Sequence, residues 1–182
     1  MKGNLDGALT LYEYNCRISE AYYVPLQAVE ICLRNTLNNC MIARYGVNWF
    51  EGNVEHLSYE SQHEIYEVYE ELGGMENVAP ADVVAKLKFA FWVGLLAPQY
   101  DATLWRQALH KGFRATTGKR RNEVHQRLNA IRRLRNRIAH HEPIYHRDLL
   151  VVHNEILEAI GWMCVSTRDW TRQLSRVPIT LR

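Results

Sequence analysis

The chain has 182 residues, 47% of them hydrophobic and 23% charged, which is enough to bury one core and too apolar for a disordered chain. A net charge of +2 does not by itself mark a nucleic-acid binder, so any such argument rests on where the charge sits. Cys16, Cys32, Cys40 and Cys164 form no Cys-x-x-Cys pair and no zinc-like spacing, so reduced thiols and a cytoplasmic location are expected. The N-terminal residues lack the apolar run of a signal peptide. No stretch approaches the roughly 20 apolar residues of a membrane helix, so no membrane association is expected.

Helical periodicity runs through the chain. Leu5, Leu9 and Tyr12 recur at helical spacing. Pro25 suits the first turn of a second helix, where its missing N–H would have no partner anyway. Leu26, Val29, Leu33, Leu37 and Met41 form its apolar stripe, and Gly46 is a natural stop. Trp49-Phe50-Glu51-Gly52-Asn53 reads as a loop with two aromatic anchors.

Ser58 caps a helix that runs to Leu72 and ends at Gly73-Gly74. Pro80 opens a helix expected from Val83 to about Leu96 and stopped by Pro98. A shorter helix is expected from Asp101 to Phe113, then a turn at Thr116-Thr117-Gly118. A basic helix spans Arg120 to His141 and ends at Glu142-Pro143, because a residue before proline is driven out of the helical region. A last helix is expected from Arg147 to about Leu174, with residues 176–182 a loose tail. No segment alternates as a strand does. The expected fold is therefore a single all-α domain over residues 1–182, a helical bundle with its core in about 5–175. Trp49, Trp92, Trp105 and Trp162 sit at core spacing.

The basic helix carries the most information. On a wheel of about 100° per residue, Val124, Leu128, Ile131, Leu134 and Ile138 spread over one side. Asn129, Arg133, Asn136 and His140 form a narrow polar stripe opposite, flanked by Arg132 and Arg137. Arg135 breaks this pattern, since it falls within about 20° of Leu128 at the edge of the apolar face. A guanidinium there is costly unless it is paired or opens into a cleft. Glu30 is the matching anomaly, a carboxylate on the stripe of Leu26, Leu33 and Leu37. It can pair with Arg34 four residues on, with Arg135, or with both. A structural Glu30–Arg135 ion pair, a solvated basic face and a catalytic site all fit these residues. Adjacent histidines diverge on a helix and no compact acidic set accompanies them, so a metal site is not expected.

At this point Leu134-Arg135-Asn136-Arg137-Ile138-Ala139-His140-His141-Glu142-Pro143-Ile144 resembles the signature of the Abi-like proteins, which belong to the HEPN superfamily of helical ribonucleases and are associated with abortive phage infection. Val29-Glu30-Ile31-Cys32-Leu33-Arg34-Asn35 looks like that family's N-terminal Glu-x-x-x-Arg-Asn element. The segment from Val83 to Leu96 looks like its central aromatic helix, and Trp105 fits after it. The likeness covers roughly residues 5 to 165 in the right order, with Ala90 standing where the family often has glycine.

The resemblance implies an HEPN-like helical bundle and metal-independent cutting of RNA to 2′,3′-cyclic phosphate and 5′-hydroxyl ends. It implies a phage-defence or toxin effector, a homodimer whose two motifs meet in one cleft, and an antitoxin as a candidate partner. No cofactor is implied. In this reading His140 is the base or acid, Arg135 binds the scissile phosphate, and Asn136 orients His140 or the phosphate. His141 caps the helix or binds substrate, with Glu30 and Arg34 in support. Arg132, Arg133 and Arg137, with Lys119, Arg120 and Arg121 upstream, form the electrostatic track for the RNA backbone. Arg135 and His140 lie about 140° apart on a regular helix, so two crossing helices at a twofold axis are needed to bring both types to one phosphate. A catalytically silent RNA-binding or partner-binding dimer is the alternative.

Overall fold

In a computed structural model, which describes residues 5–51, 55–76, 78–113 and 119–181, every regular element is helical. The helices are α1 (Leu5–Ala21), α2 (Tyr23–Tyr45), α3 (Tyr59–Glu71), α4 (Pro80–Lys86), α5 (Phe89–Gly94), α6 (Arg121–Ala139), α7 (Leu149–Met163), α8 (Val165–Leu174) and α9 (Val177–Thr180). No helix among the described residues is long and apolar enough to cross a membrane.

The long helix α2 is the centre of the core. Its expected stripe is inside: Leu26, Val29, Leu33, Leu37 and Met41 are all buried. At about 1.5–3 kcal/mol for each large apolar side chain removed from water, this stripe contributes on the order of 10 kcal/mol to the fold. It packs against α7 and α8 and against α5, while α6 lies across α5 and α7. The turn at Leu109–Phe113 also rests on α2, so closely that a Cβ on Gly112 would lie 2.5 Å from Thr36 Cγ2. Trp49, Phe50, Trp92, Trp105 and Trp162 are buried as expected. The Ser58 cap is present, its hydroxyl accepting from Ser61 N–H at 3.4 Å.

Three expected helices are divided. The segment 80–96 breaks at Leu87 and Lys88, which are extended. The Trp92 indole N–H donates to the Leu87 carbonyl at 3.3 Å, occupying an acceptor that a continuous helix would use internally. The segment 101–113 is not one α-helix but a π turn at Asp101–Trp105 and a 3-10 turn at Leu109–Phe113. The last helix breaks at Cys164, whose extended backbone starts α8. Hydrogen bonding from Thr167, then from Ser166, holds the Cys164 thiol below its ordinary range. The end of the chain, expected to be loose, carries the short helix α9 with Val177 buried. The expected turn at Thr116-Thr117-Gly118 lies outside the described residues.

Helix α1 is divided in a different sense. Only Asn15, Ile18 and Ala21 are buried, all in its second half. Leu5, Leu9 and Tyr12 do lie on one stripe, yet they are 68%, 57% and 63% exposed. The periodicity marks a helix whose apolar side has nothing covering it among the described residues.

Candidate active-site groove at the end of the basic helix

The end of α6 is set by its last turn. His141 N–H bonds to the Ile138 carbonyl at 3.1 Å and Glu142 N–H to the Arg137 carbonyl at 2.8 Å, while His141 has φ of 58°. This is the paired-bond helix stop that usually employs glycine at the left-handed position. The helix thus ends at Ala139 and reverses at His141, ahead of the Glu142-Pro143 step that the sequence marked. Arg137 fastens the reversal, donating to the Pro143 carbonyl at 2.8 Å and lying 3.3 Å from the Glu142 carboxylate.

Two buried contacts then hold the following loop. Ile144 N–H donates to Asn15 Oδ1 at 2.8 Å, and the Tyr22 hydroxyl donates to the Leu149 carbonyl. Burial, followed by the nearby Asp148 charge, pushes the Tyr22 phenol far above its ordinary range, so it stays a donor. Sequence reasoning passed over Asn15 and Tyr22. The available signal was a polar residue and a tyrosine on the same face as Ile18.

A groove of about 760 Å³ opens between α1, α2 and the end of α6. Arg135, Glu30, Arg34 and His141 all line it. Glu30 Oε2 is 3.8 Å from Arg135 Nε, so the two anomalies of the sequence do meet. Their side chains remain 32% and 46% exposed, and no hydrogen bond joins them. An exposed pair at that distance is worth about 0–1 kcal/mol, too little to be a reason for folding. Arg135 therefore escapes the burial penalty by opening into the groove, and its donors have no other partner among the described residues. Arg34 donates to the Ala85 carbonyl at 3.5 Å from the same wall.

His140 lies elsewhere. It caps α6, is exposed, and does not line the groove. Asn136 is half-buried, and its backbone carbonyl, not its side chain, accepts from His140 N–H at 2.9 Å. The structure therefore brings Arg135, Glu30, Arg34 and His141 together in one chain and leaves Asn136 and His140 on another side of the helix.

The basic residues of α6 separate equally clearly. Arg121 is 13% exposed, 3.2 Å from Asp101 and bonded to the Leu96 carbonyl at 2.7 Å. Lys119 stands 4.8 Å from the centroid of the Trp162 ring and 3.9 Å from Glu158. Arg120 is exposed, and its backbone N–H donates to Glu123 at 2.9 Å. Arg132 donates to Asn129 at 3.0 Å, whereas Arg133 is exposed with no partner among the described residues. His125, one turn before Asn129, is kept below its ordinary range by burial, then by Arg121 and Arg132.

The groove's remaining lining was not singled out in the sequence as part of a site. Tyr12, Cys16 and Ser19 come from α1, and Tyr23, Gln27 and Ile31 from α2. Their helical spacings of three and four were visible, but nothing local said that these stripes face each other. Among the described residues no three His, Cys, Asp or Glu side chains converge so as to hold a metal ion. No family model, curated protein or solved structure matches the chain.

Proposed function

We propose that this chain is a metal-independent endoribonuclease of the HEPN type, cutting RNA to 2′,3′-cyclic phosphate and 5′-hydroxyl ends. One observation carries the reading. Arg135 presents its guanidinium to a groove, held only by Glu30 at 3.8 Å, beside the helix end that bears His140 and His141. A planar guanidinium matches phosphate oxygens and keeps its charge through the reaction.

In the proposed reaction a base takes the proton of the ribose 2′-hydroxyl, whose oxygen attacks the adjacent phosphorus. Arg135 offsets the charge that builds on the phosphorane oxygens. The bond to the 5′-oxygen breaks, and an acid protonates that leaving oxygen. His140 takes one of the proton roles, since an imidazole is suited to give and take protons near neutral pH. Asn136 orients His140 or the phosphate. Because Arg135 and His140 occupy different sides of one chain, both reach one phosphate only if a second chain supplies the missing group. The uncovered stripe of Leu5 and Leu9 supports such a homodimer. The role as a phage-defence or toxin effector, silenced by an antitoxin, rests on the resemblance to Abi-like proteins alone.

The separation of His140 from the groove also favours a second reading, a catalytically silent HEPN-like dimer that binds RNA or a protein partner. An RNA-cutting assay in EDTA decides between them. The expected result is cyclic-phosphate ends from the native protein and no cutting from His140→Ala with an unchanged melting curve. Persistent cutting by that variant removes His140 from the mechanism, and no cutting by the native protein supports the silent module.

A further inference from the structure

We infer that the groove between α1, α2 and the end of α6 is a binding site for a nucleoside phosphate unit, with the phosphate at Arg135 and the base against the tyrosine wall. The inference rests on the reading of Arg135 as a phosphate ligand and adds what lies beside the phosphate. The groove's volume, about 760 Å³, is within the range of small-molecule sites. It is amphipathic in a particular way. One part offers Arg135, Arg34 and His141, with the carboxylates of Glu30 and Glu20 on the same lining. The rest is mainly apolar and aromatic, with Tyr12, Tyr23, Leu26 and Ile31.

Each part matches one component of a nucleotide. Arg135 is free to change partners, because its 3.8 Å contact with Glu30 is far longer than the roughly 2.8 Å of a charge-assisted hydrogen bond. A phosphate oxygen at that shorter distance outcompetes the carboxylate. Tyr12 and Tyr23 are 63% and 66% exposed, so their rings offer faces to a base with no rearrangement of the core. Stacking of a base on an aromatic ring tolerates any sequence, since every base has a π-face. Gln27 adds directionality. It is exposed on the groove wall and makes no side-chain hydrogen bond among the described residues. A side-chain amide pairs a donor and an acceptor with the edge of adenine. Bare phosphate or a protein anion would use the arginines and leave this apolar wall wet.

The test compares adenosine 5′-monophosphate, ribose 5-phosphate and inorganic phosphate in titrations of the full chain, followed by amide chemical shifts. The expected result is that the adenosine nucleotide binds at least about tenfold more tightly than the two others. Tyr23→Ala, a substitution at an exposed ring, is expected to remove that advantage and leave ribose 5-phosphate binding unchanged. Arg135→Ala is expected to weaken all three. Equal binding of the three ligands overturns the site. So does an unchanged nucleotide preference in Tyr23→Ala and Tyr12→Ala, including the case in which those variants only dissociate a dimer. RNA cutting by a protein with no base preference defeats this inference and leaves the ribonuclease standing. A base-dependent site in a protein that never cuts RNA does the reverse.

Discussion

The two ends of α6 are equally rich in positive charge and could hardly be used more differently. At the start, Arg121 lies against Asp101 and the Leu96 carbonyl, and Lys119 and Arg127 both stand over Trp162 while reaching Glu158. At the finish, Arg133 has no partner among the described residues and Arg135 has one loose contact. Counting arginines along the helix treats these ends as one basic track. Partners distinguish them: carboxylates and an indole consume the first group, and the second is left available for phosphate. Of the residues expected to form an electrostatic track for RNA, Lys119, Arg121 and Arg137 are tied within the chain, which leaves Arg120, Arg132 and Arg133.

Substitution can break this contrast. The largest effect is expected for Arg135→Ala, a loss of about a hundredfold or more in RNA cutting, measured as initial rates on a labelled oligonucleotide, with the melting temperature unchanged. Unfolding of that variant would move Arg135 to the structural end of the helix. Arg121→Ala should do the opposite, lowering stability by about 1–3 kcal/mol in urea denaturation because it strands the Leu96 carbonyl, while Asp101 keeps Arg106.

At His141 the two uses of a residue can be split. His141→Gly removes the imidazole and relieves the left-handed backbone, so its stability should match or exceed that of His141→Ala by about 1 kcal/mol. If both weaken RNA binding alike, the imidazole is the functional part. At the other extreme Arg133→Ala should change stability by no more than about 0.5 kcal/mol and reduce RNA affinity only slightly, more at low salt than at high.

A pH titration separates the histidines in the same spirit. Burial, then the Arg172 charge, holds His153 below its ordinary value of 6.5, and neither ring nitrogen has a partner among the described residues. The unfolded chain therefore binds this proton more readily than the folded one. The contribution is complete above pH 6.5 and is lost as pH falls below it. His153→Leu should flatten the acid side of the stability profile and leave cutting by the native site at neutral pH unaffected.

Much of the fold was legible because it depends on period and volume. The stripe Leu26–Met41, the Ser58 cap and the buried tryptophans follow from spacing alone. The break at Leu87 was not legible, since it depends on one side chain, the Trp92 indole, satisfying one backbone group, and nothing in the spacing marked the break at Cys164. The same holds for the helix end, where Pro143 pointed to Glu142 and the chain had already reversed at His141. At the site, Glu30 and Arg135 betrayed each other as charges on apolar faces. Tyr12, Tyr23 and Gln27 gave no such sign, because exposed polar and aromatic residues on a helix are ordinary until a neighbouring helix turns them into a wall.

The hydrogen bond from Ile144 to Asn15 has a mechanical meaning. Asn15 belongs to the seated half of α1, and the same rigid rod continues into the half that nothing covers. Whatever grips Leu5 and Leu9 therefore takes hold of a handle whose other end is bolted to the loop behind the two histidines. If two copies assemble through Leu5 and Leu9 as proposed, the load on α1 is carried along this rod to the loop that follows the two histidines.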